Sequence, residues 1–122
     1  MLKTILLVAS GGALGSALRY LTSIAVSRYF PNTIPASTLL VNVLGCFLIG
    51  ILIGLVDQHL LKDSMKWFLI TGFCGGFTTF SAFGLENYNL FLSSNPFLAL
   101  LYIAVSVIAG LLAIYFGLLL VQ

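Results

Sequence analysis

The chain has 122 residues, 61% of them hydrophobic and only 7% charged, with a formal net charge of +2 and a mean hydropathy of +1.18. Soluble domains carry about 25% charged residues, and a chain this short has too much surface for a large core to absorb the difference. Composition therefore excludes a soluble domain and points to an integral membrane protein. The basic residues Lys3, Arg19, Arg28, Lys62 and Lys66 are scattered, which provides no patch for nucleic acid.

A membrane span needs about 20 apolar residues. Four such runs follow one another, residues 3–26, 37–56, 67–91 and 96–121. They predict an all-α integral membrane fold in a single transmembrane domain, residues 1–122. The first run continues past the length of a signal-peptide core and is read as a retained helix. Its Ala9-Ser10-Gly11-Gly12 segment is helix-packing sequence rather than a cleavage site. Arg19, beside Tyr20, is either an interfacial anchor or part of the wall of an aqueous vestibule that draws anions inward.

Pro31 and Pro35 punctuate the first connection, and Ser37 or Thr38 opens the second span. Asn42 lies within that span with Thr38 one turn before it on the same face. An amide at that depth is costly unless satisfied, so it either bonds another helix or faces a polar path. Asp57 to Lys66 is a polar loop in which His59 reads as a solvated side chain. Cys46 and Cys74 have no metal-ligand spacing and read as small buried residues.

The third span holds the run Gly72-Phe73-Cys74-Gly75-Gly76-Phe77-Thr78-Thr79-Phe80-Ser81-Ala82-Phe83-Gly84. Paired glycines and hydroxyl residues do not suit a lipid-facing helix, and broken backbone is tolerated at membrane depth only where protein or a cavity covers it. The third helix is therefore expected to break mid-membrane. The carbonyls freed there need a partner, either a dehydrated cation or neighbouring side chains and water. Phe80 and Phe83, three apart, share a helical face. They are either ordinary packing or rings whose positive edges meet an anion. Glu86 falls toward the end of the span, within reach of the interface by snorkelling.

Ser93-Ser94-Asn95-Pro96 forms the last turn, with Pro96 suited to the first turn of a helix. Tyr102 and Ser106 stand one turn apart on the fourth span, and Gly110 continues their stripe. With Thr78, Thr79 and Ser81 they supply neutral donors, a lining for a small ion that sheds water and leaves again.

No base accompanies the serines, so a catalytic triad is not supported and no enzyme is expected. Lys3, Lys62 and Lys66 on one side against Arg28 and Arg19 on the other give a small inside bias for the termini. A bias that small permits insertion in both orientations. Gly11/Gly15 and Gly50/Gly54 are close-approach motifs. Four helices enclose little interior, so oligomerisation is expected.

The motifs Gly11-Gly12, Gly15, Arg19-Tyr20, then Thr38, Val41-Asn42, then Gly72 through Phe83 resemble the signatures of the CrcB/Fluc fluoride channels, over the whole chain. Ser37 stands where that family commonly has glycine, and Ala82 where a hydroxyl often precedes the second phenylalanine. The resemblance implies an antiparallel, dual-topology homodimer that exports cytoplasmic fluoride passively across the bacterial plasma membrane, conferring fluoride resistance. It implies that Phe80 and Phe83 meet fluoride with their edges, that Asn42 donates to the ion and Thr38 lines the same pore. Ser81, Tyr102 and Ser106 would extend a polar track, with Arg19 at the vestibule. It also implies a structural Na+ at the dimer interface, held by the carbonyls of Gly75 and Thr78. The rival reading is a small multidrug-type four-helix transporter, disfavoured because the first span carries no carboxylate.

Overall fold

A computed structural model describes residues 1–30, 35–93 and 95–122. The expected punctuation at Pro31 and the turn residue Ser94 lie outside the described residues. Among the described residues, four helices are long and apolar enough to cross a membrane: Leu2–Tyr29, Ala36–Asp57, Asp63–Leu92 and Pro96–Leu119. The first two are α1 and α2, and the last is α6. The third is composite: α3 (Asp63–Lys66), a π-helix (Trp67–Cys74), α4 (Gly75–Phe77) and α5 (Phe80–Leu92).

Local chemistry sets the ends of these elements. Arg28 lies in the last turn of α1, where a cation favours the negative end of the helix dipole. Asn95 caps α6 by accepting from the Leu98 amide, with Pro96 in the first turn. In the polar loop, exposed His59 takes a left-handed backbone conformation, φ 57°. Lys66 pairs with Asp63 at 2.9 Å on the surface, a contact of small energetic weight.

Two glycine seams hold the helices. Gly11 and Gly15 of α1 lie against the backbone of Phe68 and Phe73, where any Cβ would overlap a carbonyl oxygen. Gly72 and Gly76 return the contact, a Cβ on Gly72 reaching the Val8 carbonyl at 2.8 Å and one on Gly76 the Gly12 carbonyl at 2.5 Å. In the second seam, Gly50 of α2 meets Ile114, and Gly117 of α6 meets Phe47, again with no room for a Cβ. Both close-approach motifs thus serve contacts inside the chain. Lipid offers no hydrophobic drive between helices, so bare backbone surfaces that allow close van der Waals contact take its place.

Few large side chains are buried. Val41, Cys74, Phe77, Ala99, Tyr102 and Ala113 form the hydrophobic interior, while most leucines and isoleucines point outward. That distribution is inverted relative to a soluble protein and matches a chain solvated by acyl chains.

Candidate functional site

The site is built around two residues that leave helical geometry. Thr78 (φ −78°, ψ 160°) and Thr79 (φ −149°, ψ 118°) are extended between α4 and α5. Their main-chain polar groups find side-chain and local partners. The Thr78 amide and hydroxyl both donate to the Cys74 carbonyl, at 3.0 and 2.9 Å. The Thr78 carbonyl accepts from the Arg19 guanidinium at 3.2 Å. Thr79 is held from α2: Asn42 Nδ2 donates to its carbonyl at 3.1 Å, and its amide donates to Asn42 Oδ1 at 2.8 Å. Asn42 therefore bonds another helix, the first of the two alternatives its depth allowed. One amide hydrogen remains for any ion.

Thr79 also caps α5, its hydroxyl accepting from the Ala82 amide at 3.3 Å. Three residues of α5 then face α2 and α6. The Phe80 and Phe83 rings are 5.9 Å apart, tilted by 41°. Phe83 lies 5.3 Å from the ring of Tyr102 at 54°. Glu86 accepts from the Thr38 hydroxyl at 2.5 Å and from the Tyr102 hydroxyl at 2.9 Å.

Sequence reasoning assigned Glu86 to the interface. The structure instead ties it to two residues that are themselves buried, Thr38 and Tyr102. Thr38 is in the first turn of α2, which has no acidic residue of its own and no side-chain cap. Glu86 brings a carboxylate to that positive helix end. The available signal was its position one turn beyond Phe83, on the side of α5 that meets the Tyr102 stripe.

The expected site residues divide between hollows. An open hollow of about 290 Å³ is lined by Asn42, Phe80, Phe83 and Ser106 together with Cys46 and Thr79. A second, of about 410 Å³, is lined by Arg19, Thr38 and Ser81 with Ser16, Ser23 and Thr79. Ser81 is thus not beside the phenylalanine rings; it faces the other side of the first turn of α5. Thr79 borders both hollows. Glu86 borders a third, of about 420 Å³, with Ser27, Ser37, Asn89 and Ser93. Cys74 is fully buried as expected, but half-buried Cys46 contributes to the hollow of the rings.

Two features of the first hollow bear on what it accepts. Ser106 Oγ is buried without a hydrogen-bond partner, and an orphaned hydroxyl inside a protein calls for one. Phe80 is 83% exposed, an apolar ring left open beside polar groups. The donors here carry no net charge, and Arg19 stands across the turn in the neighbouring hollow.

The carbonyls expected to hold Na+ can be tested against the same geometry. A continuing helix would send the Thr79 amide to the Gly75 carbonyl, but Asn42 takes that amide. The Gly75 carbonyl thereby loses its usual helical amide, and a Cβ on Gly75 would meet nothing within 4 Å. Thr78 keeps one lone pair beside the Arg19 bond. A hard cation at these oxygens would share the Thr78 carbonyl with Arg19, whose guanidinium opposes it by like charge.

These observations define a small multi-pass membrane protein whose interior polar groups are arranged along facing helices around open hollows. The chain belongs to the CrcB family: residues 6–118 match the family model described as CrcB-like protein, Camphor Resistance (CrcB). A Flavobacterium psychrophilum protein named fluoride-specific ion channel FluC is 46% identical over 122 residues, covering 99% of this chain and 98% of its own. A protein of the same name from Azobacteroides pseudotrichonymphae is 46% identical over 123 residues, covering 100% and 98%. One from Azotobacter vinelandii is 45% identical over 126 residues, covering 100% and 99%.

Proposed function

We propose that this protein is a fluoride-selective channel that lets cytoplasmic fluoride leave passively across the plasma membrane. The observation that carries the reading is the hollow lined by Asn42, Phe80, Phe83 and Ser106, the last with a buried hydroxyl that has no hydrogen-bond partner. The names of the relatives support the same ion, and give no support to the multidrug alternative. Fluoride is small and tightly hydrated. Closely spaced neutral donors and the positive edges of aromatic rings replace its water without a fixed charge that would trap it.

In this reading the polar track runs from Arg19 in the vestibule, past Ser81 and Thr38, to the rings, Asn42, Tyr102 and Ser106. Glu86 holds Thr38 and Tyr102 in place along it. The extended pair Thr78–Thr79 is the mid-membrane interruption of the third span. The working unit is an antiparallel homodimer inserted in both orientations. Exposed Phe80 and the open sides of the hollows support a second copy covering them. A structural Na+ at the dimer axis would neutralise the carbonyls of Gly75 and Thr78.

The test is efflux from vesicles loaded with fluoride and reconstituted with the purified protein, with chloride-loaded vesicles as control. Fluoride efflux without chloride efflux supports the reading; no fluoride efflux, or equal efflux of both, overturns it.

A further inference from the structure

For Arg19 the sequence leaves two readings, an interfacial anchor or the wall of a vestibule, and neither names a contact. Its contact is specific. The guanidinium donates to the Thr78 carbonyl across 59 positions of sequence, and that carbonyl belongs to the first of the two extended residues. The placement follows from the α1 seam. Gly11 lies at the Phe68 carbonyl and Gly15 at the Phe73 carbonyl; the next turn of α1 brings Arg19 to the Thr78 carbonyl. Each step of four residues on α1 matches a step of five on the third span. The wider π-helix supplies that longer step between Phe68 and Phe73. At the first two stations the carbonyl meets bare backbone. At the third, where helical pairing has ended, it meets a donor.

We infer that Arg19 is a positioning residue that fixes the start of α5, and with it Phe80 and Phe83, by holding the Thr78 carbonyl. At membrane depth an unmet carbonyl would draw in water or refold the local backbone. Arg19 on Thr78 and Asn42 on Thr79 together leave the two residues one arrangement. The bond uses one arm of a rigid fork with five N–H donors. A lysine keeps the charge and loses that fork. The role of Phe80 and Phe83 in conduction rests on the channel reading; the role of Arg19 in holding the backbone does not.

The experiment compares wild type with Arg19→Lys and Arg19→Gln as full-length protein in lipid vesicles. Amide hydrogen exchange is read at residues 79–83, with α6 as reference, and fluoride efflux is measured at low and high concentrations of an inert salt. Positioning predicts that both variants speed exchange at residues 79–83 at least tenfold while α6 is unchanged. It also predicts that efflux falls by the same factor at either salt level. Exchange unchanged in both variants overturns the inference. So does full efflux in Arg19→Lys combined with a defect in Arg19→Gln that salt abolishes, the pattern of simple anion attraction. If wild type does not conduct fluoride, the channel reading fails and the exchange arm still decides the role of Arg19. If both variants fail to fold, solid-state NMR of the wild type decides. A dipolar contact between arginine side-chain nitrogen and the Thr78 carbonyl carbon supports the inference, and its absence overturns it.

Discussion

Asn42 pairs with the main chain of Thr79 as a neighbouring strand would, one bond in each direction, at 3.1 and 2.8 Å. A side-chain amide has the same donor and acceptor as a peptide group, so it can satisfy both at a place where no second backbone is near. Replacing Asn42 with alanine leaves two part-buried main-chain groups unmet, at up to about 1–3 kcal/mol for each. Asn42→Ala is expected to lower the unfolding midpoint in detergent and to abolish efflux. Asn42→Asp, which keeps the acceptor for the Thr79 amide but turns an anion toward its carbonyl, is expected to be at least as damaging. Wild-type stability in either variant would remove Asn42 from this role.

The two phenylalanines should separate stability from conduction. Phe80 is largely exposed, whereas the Phe83 ring is tilted against that of Tyr102. Phe83→Ile is expected to lose fluoride efflux and about 0.5–1.5 kcal/mol of ring–ring contact. Phe80→Ile is expected to lose efflux with a smaller loss, confined to its one ring contact with Phe83, both variants still assembling as dimers. Undiminished efflux from either would end the role given to that ring.

Glu86 joins three helices through two hydroxyl donors. Hydrogen bonds to a charged group are each worth about 1.5–3 kcal/mol net. In Glu86→Gln one of the two hydroxyls faces an NH2 group instead of an acceptor. A double-mutant cycle of Glu86→Gln with Tyr102→Phe, read by unfolding, is expected to show a coupling of about 1 kcal/mol or more. Strict additivity would mean the contact does not form in the membrane.

The glycines differ in what a methyl group would meet. Gly15→Ala drives a Cβ into the Phe73 carbonyl, and Gly50→Ala into that of Ile114. Each is expected to destabilise by about 1–3 kcal/mol. Gly84 has nothing within 4 Å of such a Cβ, and Gly84→Ala within α5 is expected to be neutral or to stabilise by up to about 1 kcal/mol. Thermal melts of the three variants check the order.

If Na+ is bound by the Gly75 and Thr78 carbonyls, exchanging it for a large organic cation should loosen the dimer without touching the helices. Size-exclusion chromatography at falling protein concentration, in each cation, reads the difference. Identical elution in both would argue that Arg19 and the remaining donors suffice at those carbonyls.

The four apolar runs carried the helical fold openly, because lipid imposes a length and a composition that few other environments do. The glycine spacing showed which faces come close but not which partner each would meet. Gly11 and Gly15 read equally well as a contact between copies, and only the carbonyls of Phe68 and Phe73 decide. The π-helix left no local trace in sequence, since its extra residue per turn follows from the match to α1 rather than from any propensity of Trp67 to Cys74. Glu86 was hidden for a related reason. Its distance from a span end was readable; the convergence of Thr38 and Tyr102 on it depends on packing between α2, α5 and α6. Asn42 was legible as a polar group needing a partner, while the partner, a main chain freed from its helix, was not.

The two seams divide the molecule into a pair of plates, α1 with the first half of the third span and α2 with α6. The third span begins in one plate and, through α5 packed on α6, ends in the other. Thr78 is fastened to the first plate by Arg19, and Thr79 to the second by Asn42. Within the third span, the boundary between the plates therefore falls at one peptide bond, the one joining Thr78 to Thr79. Within that span, sliding of one plate over the other is borne there, with a rivet on either side.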